Sequence, residues 1–201
     1  MTQDRYQALE SAPEPGRPLV FALHGTGGDE SQLFKLAQDV VPGGGVVSPR
    51  GDVSEMGAAR FFRRTGEGVY DMEDLARATQ KMTDYIASYR VRYPNSPIYG
   101  FGYSNGANIL AAVVMQSPEL FDRVALLHPL VTWAAAPNPG FQGRSVLVTA
   151  GRRDPITPWS QSAALIDWFQ ASGAAVTTEA HDGGHELRGS EIAALHSFFA
   201  D

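Results

Sequence analysis

Gly102-Tyr103-Ser104-Asn105-Gly106 is the stretch whose reading decides the fold. Pro97-Ile98-Tyr99-Gly100-Phe101 precedes it, short and apolar enough for a buried strand. Ala107 to Met115 follows and reads as a buried helix. A serine between two glycines, at a strand-to-helix turn, is the context in which the turn holds the serine in a strained backbone conformation. Larger side chains two residues either way would clash, and glycine removes them. Ser104 then sits at the carboxyl end of a strand, where the next helix offers free N–H groups and partial positive charge to a developing oxyanion. Two other readings compete for the pentapeptide. One is an ordinary strand-to-helix turn. The other is a dinucleotide-binding turn through Gly100, Gly102 and Gly106, which needs an acidic residue at the end of the next strand. That strand, Val124-Ala125-Leu126-Leu127, ends in His128-Pro129 instead.

The chain has 201 residues, 43% hydrophobic and 19% charged, enough for one domain with a sizeable core and too apolar for a disordered chain. A formal net charge of −6 and the lack of any basic run argue against a nucleic-acid partner. Cysteine is absent, which removes disulfides, thiolate zinc sites and a cysteine nucleophile together. No apolar run is long enough for a signal peptide or a membrane span, so the expected location is cytoplasmic, without stable membrane insertion. The oligomeric state is left open.

Working outward, residues 1–18 are polar and proline-rich and read as a tail or short edge segment. Residues 19–201 read as a single domain. Its first strand is Leu19-Val20-Phe21-Ala22-Leu23, followed directly by the glycine-rich His24-Gly25-Thr26-Gly27-Gly28. A helix from Ser31 to about Val40, a short strand Val46 to Pro49 and a long aperiodic loop from Arg50 to Tyr70 come next. Asp71-Met72-Glu73-Asp74 opens a helix that Pro94 and Pro97 stop. After the elbow come the strand Val124 to Leu127, a proline- and alanine-rich excursion from Pro129 to Gly143, and the strand Ser145 to Ala150. Then follow a helix from Trp159 to Ala171, a strand from Ala175 to Ala180 and a closing helix from Ser190 to Phe199. Strands and helices alternate throughout. The expected fold is α/β, a mostly parallel sheet of about six or seven strands with helices on both faces. Ligand chemistry in such sheets belongs at the carboxyl ends of the strands. His24, Ser104, His128, Asp154 and His185 each follow a strand.

A serine hydroxyl needs a base, and the base needs an orienting group. Asp154 and then His185 follow Ser104 in two later loops, the order Ser, Asp, His expected of an α/β-hydrolase. The expected catalytic residues are therefore Ser104, Asp154 and His185. The expected oxyanion hole is the N–H groups of Asn105 and Thr26. A phosphate-cradling reading of the Gly25–Gly28 loop fails because no lysine with P-loop spacing follows.

Together these residues resemble the phospholipase/carboxylesterase family of α/β-hydrolases, from His24-Gly25-Thr26-Gly27-Gly28 to Gly184-His185-Glu186-Leu187. Within that family the chain is most similar to the hydroquinone-resistance carboxylesterase type. The residues that carry this are Arg50-Gly51-Asp52-Val53-Ser54-Glu55-Met56-Gly57, Arg60-Phe61-Phe62-Arg63-Arg64 and the elbow through Asn108. The resemblance implies a cofactor- and metal-free esterase acting on small carboxylic esters. Dienelactone hydrolases carry cysteine where this chain has Ser104. Acyl-protein thioesterases carry glutamine where it has Asn105, which argues against depalmitoylation.

Arg63 and Arg64, with Arg60, are candidate partners for a substrate carboxylate or phosphate, or else ion-pair with Glu55 or form a solvated surface. Trp133 and Phe141 are candidate acyl-pocket walls, or else plain packing. The excursion that holds them is too short for a cap domain, so an open site is expected. His128 reads as a packed, hydrogen-bonded histidine. His181 beside Asp182 is the rival base, and their spacing with His185 fits no strong metal site. The expected function is a serine carboxylesterase. The alternatives are a lysophospholipase or acyl thioesterase, which needs a long apolar groove, and a catalytically silent hydrolase-fold binding module.

Overall fold

The computed structural model describes residues 5–200. Among the described residues there are eleven strands and five α-helices, strands and helices mostly alternating outside the run β3 to β7. The strands are β1 (Ala8–Ser11), β2 (Leu19–Leu23), β3 (Gly45–Pro49), β4 (Val53–Glu55), β5 (Ala58–Arg60), β6 (Arg64–Gly66), β7 (Val69–Tyr70), β8 (Ile98–Tyr103), β9 (Arg123–Leu127), β10 (Ser145–Gly151) and β11 (Ala175–His181). The helices are α1 (Phe34–Val40), α2 (Met72–Arg92), α3 (Asn105–Gln116), α4 (Trp159–Ala171) and α5 (Gly189–Ala200).

Seven strands form the central sheet in the order β1-β3-β2-β8-β9-β10-β11. Only β1 is antiparallel, paired to β3 at the edge, so Ala8–Ser11 within the polar N-terminal stretch is a strand. The strand order reverses between β2 and β8: β3 lies to one side of β2, and β8 with all later sheet strands lies to the other. Crevices at such switch points are where open α/β sheets bind ligands. The register pairs Leu23 with Gly102, so the loop after β2 and the turn at Ser104 leave the sheet side by side.

Strand alternation sorts the core into two layers. Leu19, Phe21, Leu23, Leu126 and Val148 face α2, α3 and α4. Val20, Ala22, Phe101, Leu127 and Leu147 face α1 and α5. The architecture is the α/β-hydrolase fold, and the described residues include no cap domain. None of the described helices is long and apolar enough to cross a membrane.

The segment from Arg50 to Tyr70, expected as an aperiodic loop, instead folds into two hairpins, β4–β5 and β6–β7. Strands of two or three residues are too short to show a period-two pattern. Their buried anchors, Phe61 and Phe62, belong to the core on the α2–α3 side. Helix α2 begins where its acidic start implies: the Asp71 carboxylate caps it by accepting the Asp74 N–H at 3.0 Å.

Phe21 is fully buried against the rings of Tyr85, Tyr89 and Phe121. Phe21→Ala should lower unfolding free energy by about 3–5 kcal/mol, read as a lower urea midpoint at unchanged slope.

Candidate active site

The elbow is built from backbone crowding. Ser104 has φ +52°, in the left-handed region that residues with a Cβ rarely occupy. A Cβ on Gly102 would lie 2.5 Å from backbone atoms of Gly106, and one on Gly106 would collide with the Leu23 carbonyl. Both glycines are therefore required for α3 to start tight against the end of β2. The Ser104 N–H donates to the Leu127 carbonyl at 2.9 Å, which ties the turn to β9 as well.

Three strand ends then converge. Ser104 Oγ lies 2.9 Å from His185 Nε2, and His185 Nδ1 lies 2.7 Å from Asp154 Oδ2. Because Nδ1 faces a carboxylate it carries the proton, which leaves Nε2 as the acceptor for the serine hydroxyl. Tyr103 fixes the loop by donating its hydroxyl to the His185 carbonyl at 2.7 Å. Asp154 Oδ1 accepts the N–H groups of Ile156 and Thr157 at 2.8 and 2.9 Å. Burial alone would push this carboxyl up. The Thr157 N–H, the His128 and His185 rings and the Ile156 N–H outweigh it and hold the group below the usual carboxylate range. A serine bonded to a neutral imidazole, itself held by an ionised acid, can lose its proton to that imidazole as it attacks a carbonyl carbon.

The N–H groups of Thr26 and Asn105 find no acceptor among the described residues, and both residues line the same cavity as Ser104 and His185. The cavity measures about 310 Å³. Its walls are also formed by Arg60, Arg64, Tyr70, Asn108 and Leu130. Arg60 donates to Thr26 Oγ1 at 2.7 Å, so a buried guanidinium braces the glycine-rich loop. His24 serves the same loop. Its Nδ1 donates to the Gly25 carbonyl at 2.7 Å, and its Nε2 accepts the Gly51 N–H at 2.9 Å. A ring that donates on one side and accepts on the other is neutral, and burial lowers its pKa accordingly.

Arg60 and Arg64 reach the cavity while sharing one carboxylate, Glu55, at 3.2 and 3.0 Å. Arg63 does not reach it. Its exposed side chain turns to Asp71 and Asp74, each at 3.4 Å. Trp133 lies outside the cavity too, on the far side of Tyr70, lining a surface groove with Met72, Leu75 and Met115. Phe141 is core, packed on Trp168 and Phe169. The structure therefore brings neither Arg63 nor Trp133 to the cavity at Ser104. Both sit on segments without period, where sequence shows residue type but not direction.

The rival base is engaged elsewhere. His181 Nδ1 accepts the Gly183 N–H at 2.9 Å, so Nε2 holds the proton; it lies 3.0 Å from Glu191 Oε2, an ion-pair distance with the oxygen off the N–H line. His128, His181 and Glu191 lie close enough to suggest a metal centre. Yet a His181 ring already accepting at Nδ1 would have to become an imidazolate to ligate through Nε2. The arrangement is that of a buried cluster of close polar contacts. Sequence reading passed over Glu191, whose place in a helix resembled an ordinary polar face, and Asn108, which holds Tyr70 and the Leu130 N–H.

No family model matches the chain. MhqD of Bacillus subtilis (strain 168), a hydrolase by name, is 32% identical over 185 residues, 91% of this chain and 92% of MhqD. A Bacillus cereus carboxylesterase structure is 31% identical with a TM-score of 0.91, covering 99% of this chain and 95% of its own. The chain belongs to the α/β-hydrolase carboxylesterase family. Among solved structures, protein Atu2452 of Agrobacterium tumefaciens str. C58, of unknown function, is 52% identical with a TM-score of 0.94 over the whole of this family member and 98% of that chain.

Glu191 is also held below the usual carboxylate range: burial would raise it, but the His128 ring, the Thr149 hydroxyl and the Arg188 N–H lower it. A carboxylate depressed in the folded state stabilises fully above its unfolded pKa of about 4, and that contribution is lost as pH falls below it. The urea midpoint should therefore drop as pH falls below about 4, and Glu191→Gln should flatten that drop.

Proposed function

We propose that this protein is a serine carboxylesterase acting on small carboxylic esters through an acyl-enzyme. One observation carries the reading: Ser104 Oγ, His185 and Asp154 form an unbroken hydrogen-bonded line, at 2.9 and 2.7 Å, opening on a cavity lined by two free backbone N–H groups. Ser104 attacks the ester carbonyl carbon and passes its proton to His185 Nε2. Thr26 and Asn105 N–H groups hold the oxyanion, a contribution that removal of one such donor elsewhere lowers by about a hundred- to a thousand-fold. The tetrahedral species collapses, the C–O bond to the alcohol breaks, and His185 returns the proton to the leaving oxygen. Water then repeats the sequence on the acyl group, releasing the acid and restoring Ser104. Asp154 keeps the imidazole tautomer and faces the imidazolium that forms.

Cavity size supports small substrates, since about 310 Å³ is near the low end for ligand sites. The carboxylesterase relatives support the reaction class. Cytoplasmic location and a free small-molecule substrate belong to the same proposal.

With p-nitrophenyl esters from acetate to palmitate, kcat/KM should peak at short acyl chains. Ser104→Ala and His185→Asn should each lower it by about a thousand-fold or more, whereas Arg63→Ala should leave it within about two-fold because its side chain lies outside the cavity. A peak at long chains would favour the lysophospholipase or thioesterase reading. No turnover and no fluorophosphonate labelling of Ser104 would leave a binding protein on a hydrolase fold.

A further inference from the structure

A second histidine stands behind the Ser104 line. His128 ends β9 as Ser104 ends β8, and the register of Tyr103 with Leu127 sets the two side by side. Its backbone is also left-handed, at φ +52°. A non-glycine residue in that region is strained by about 1–3 kcal/mol and persists where its surroundings over-determine it. The ring is completely buried. Nδ1 lies 2.9 Å from Asp154 Oδ2, the same oxygen that His185 uses. Nε2 faces Glu191 Oε1 at 2.9 Å, an ion-pair distance with the oxygen off the ideal N–H line.

The protonation state follows from counting donors. Asp154 receives two backbone N–H groups on Oδ1 and two imidazoles on Oδ2. Glu191 receives the Thr149 hydroxyl at 2.5 Å and the Arg188 N–H at 2.8 Å, with the rings of His181 and His128 beside its two oxygens. Carboxyl groups so surrounded by donors are ionised. A neutral His128 would press a ring lone pair against one of them, whereas an imidazolium offers a proton to each. Burial opposes that charge, but Glu191 and Asp154 together raise His128 above the ordinary histidine range.

We propose that His128, as an imidazolium clamped between Asp154 and Glu191, is a positioning residue that orients the shared Asp154 oxygen and offsets part of its charge, setting the pH range in which His185 works as a base. The proposal rests on the serine-esterase reading. The other titratable groups facing the two rings are His181 at the end of β11, Tyr103 at the end of β8 and the exposed Glu186. The ring centres of His128 and His185 are 5.1 Å apart, so a unit positive charge on one disfavours protonation of the other. Removing it therefore strengthens the hold of Asp154 and Glu191 on a proton at His185. Activity should then fail at higher pH on the acid side.

The test uses His128→Asn, which keeps a short N–H donor and removes the charge. The acid limb of kcat/KM should move up by about one pH unit, allowing for screening at a partly buried ring. A loss of kcat with the limb unmoved, or moved down, would overturn the proposal and leave His128 a packing residue. Nitrogen-15 NMR of the histidine rings gives a second readout that needs no turnover. In the wild-type protein His128 should carry protons on both ring nitrogens at about pH 8, where an ordinary histidine is neutral. The His185 ring signals should titrate at higher pH in the variant than in wild type. A neutral wild-type His128 at that pH overturns the proposal even if the variant does not fold. Absence of ester turnover with a doubly protonated His128 would instead count against the esterase reading alone.

Discussion

The first turn of α3 is packed so closely on the end of β2 that a single added carbon at Gly106 would strike the Leu23 carbonyl. Other features of the site depend on that contact. It forces Ser104 into left-handed backbone and leaves the Asn105 N–H without an acceptor among the described residues. It also sets the Gly25–Gly28 loop beside the serine, because that loop leaves β2 at the point of contact. The strand order reverses at this same place, so the crevice is a consequence of topology before any side chain is considered.

Around that fixed point the chain satisfies buried charge with buried charge. Loops from the ends of β8, β9, β10 and β11 and the first turn of α5 meet through one line of polar groups: Ser104, His185, Asp154, His128, Glu191 and His181. Most of these groups are hydrogen-bonded, and the two ring nitrogens that are not, His128 Nε2 and His181 Nε2, each lie within ion-pair distance of a Glu191 oxygen, so the buried charges face one another rather than apolar surroundings. On the other flank, Arg60 ties the first hairpin to Thr26, and Phe61 N–H donates to the Asn105 side chain at 2.8 Å. The hairpins from Val53 to Tyr70 therefore form a wall of the cavity rather than a detached loop.

Much of this was legible from residue order. The apolar runs, the glycine-flanked serine and the acidic helix start at Asp71 each obey local rules, and local rules suffice when a segment is long and periodic. They give the alternating fold and name Ser104, Asp154 and His185, which lie within hydrogen-bonding distance in the structure. Direction is what local rules lack. Arg63 and Arg64 are neighbours in the chain, yet one turns outward to Asp71 and the other inward to Glu55. Trp133, a candidate pocket wall because its excursion lies where larger hydrolases insert a lid, lies beyond Tyr70. Glu191 sits on a helix whose pattern marks it only as polar, although it is completely buried.

By itself the sequence determined the element types, the layered α/β architecture and the chemistry available at the strand ends, because backbone sterics and apolar periodicity act over a few residues. Only the tertiary structure decided which side chains share a carboxylate, which arginine faces the cavity and which histidines are bound away from it. Those contacts join residues far apart in the chain, such as His128 with Glu191, and burial there makes pairing obligatory without leaving any mark on the local sequence.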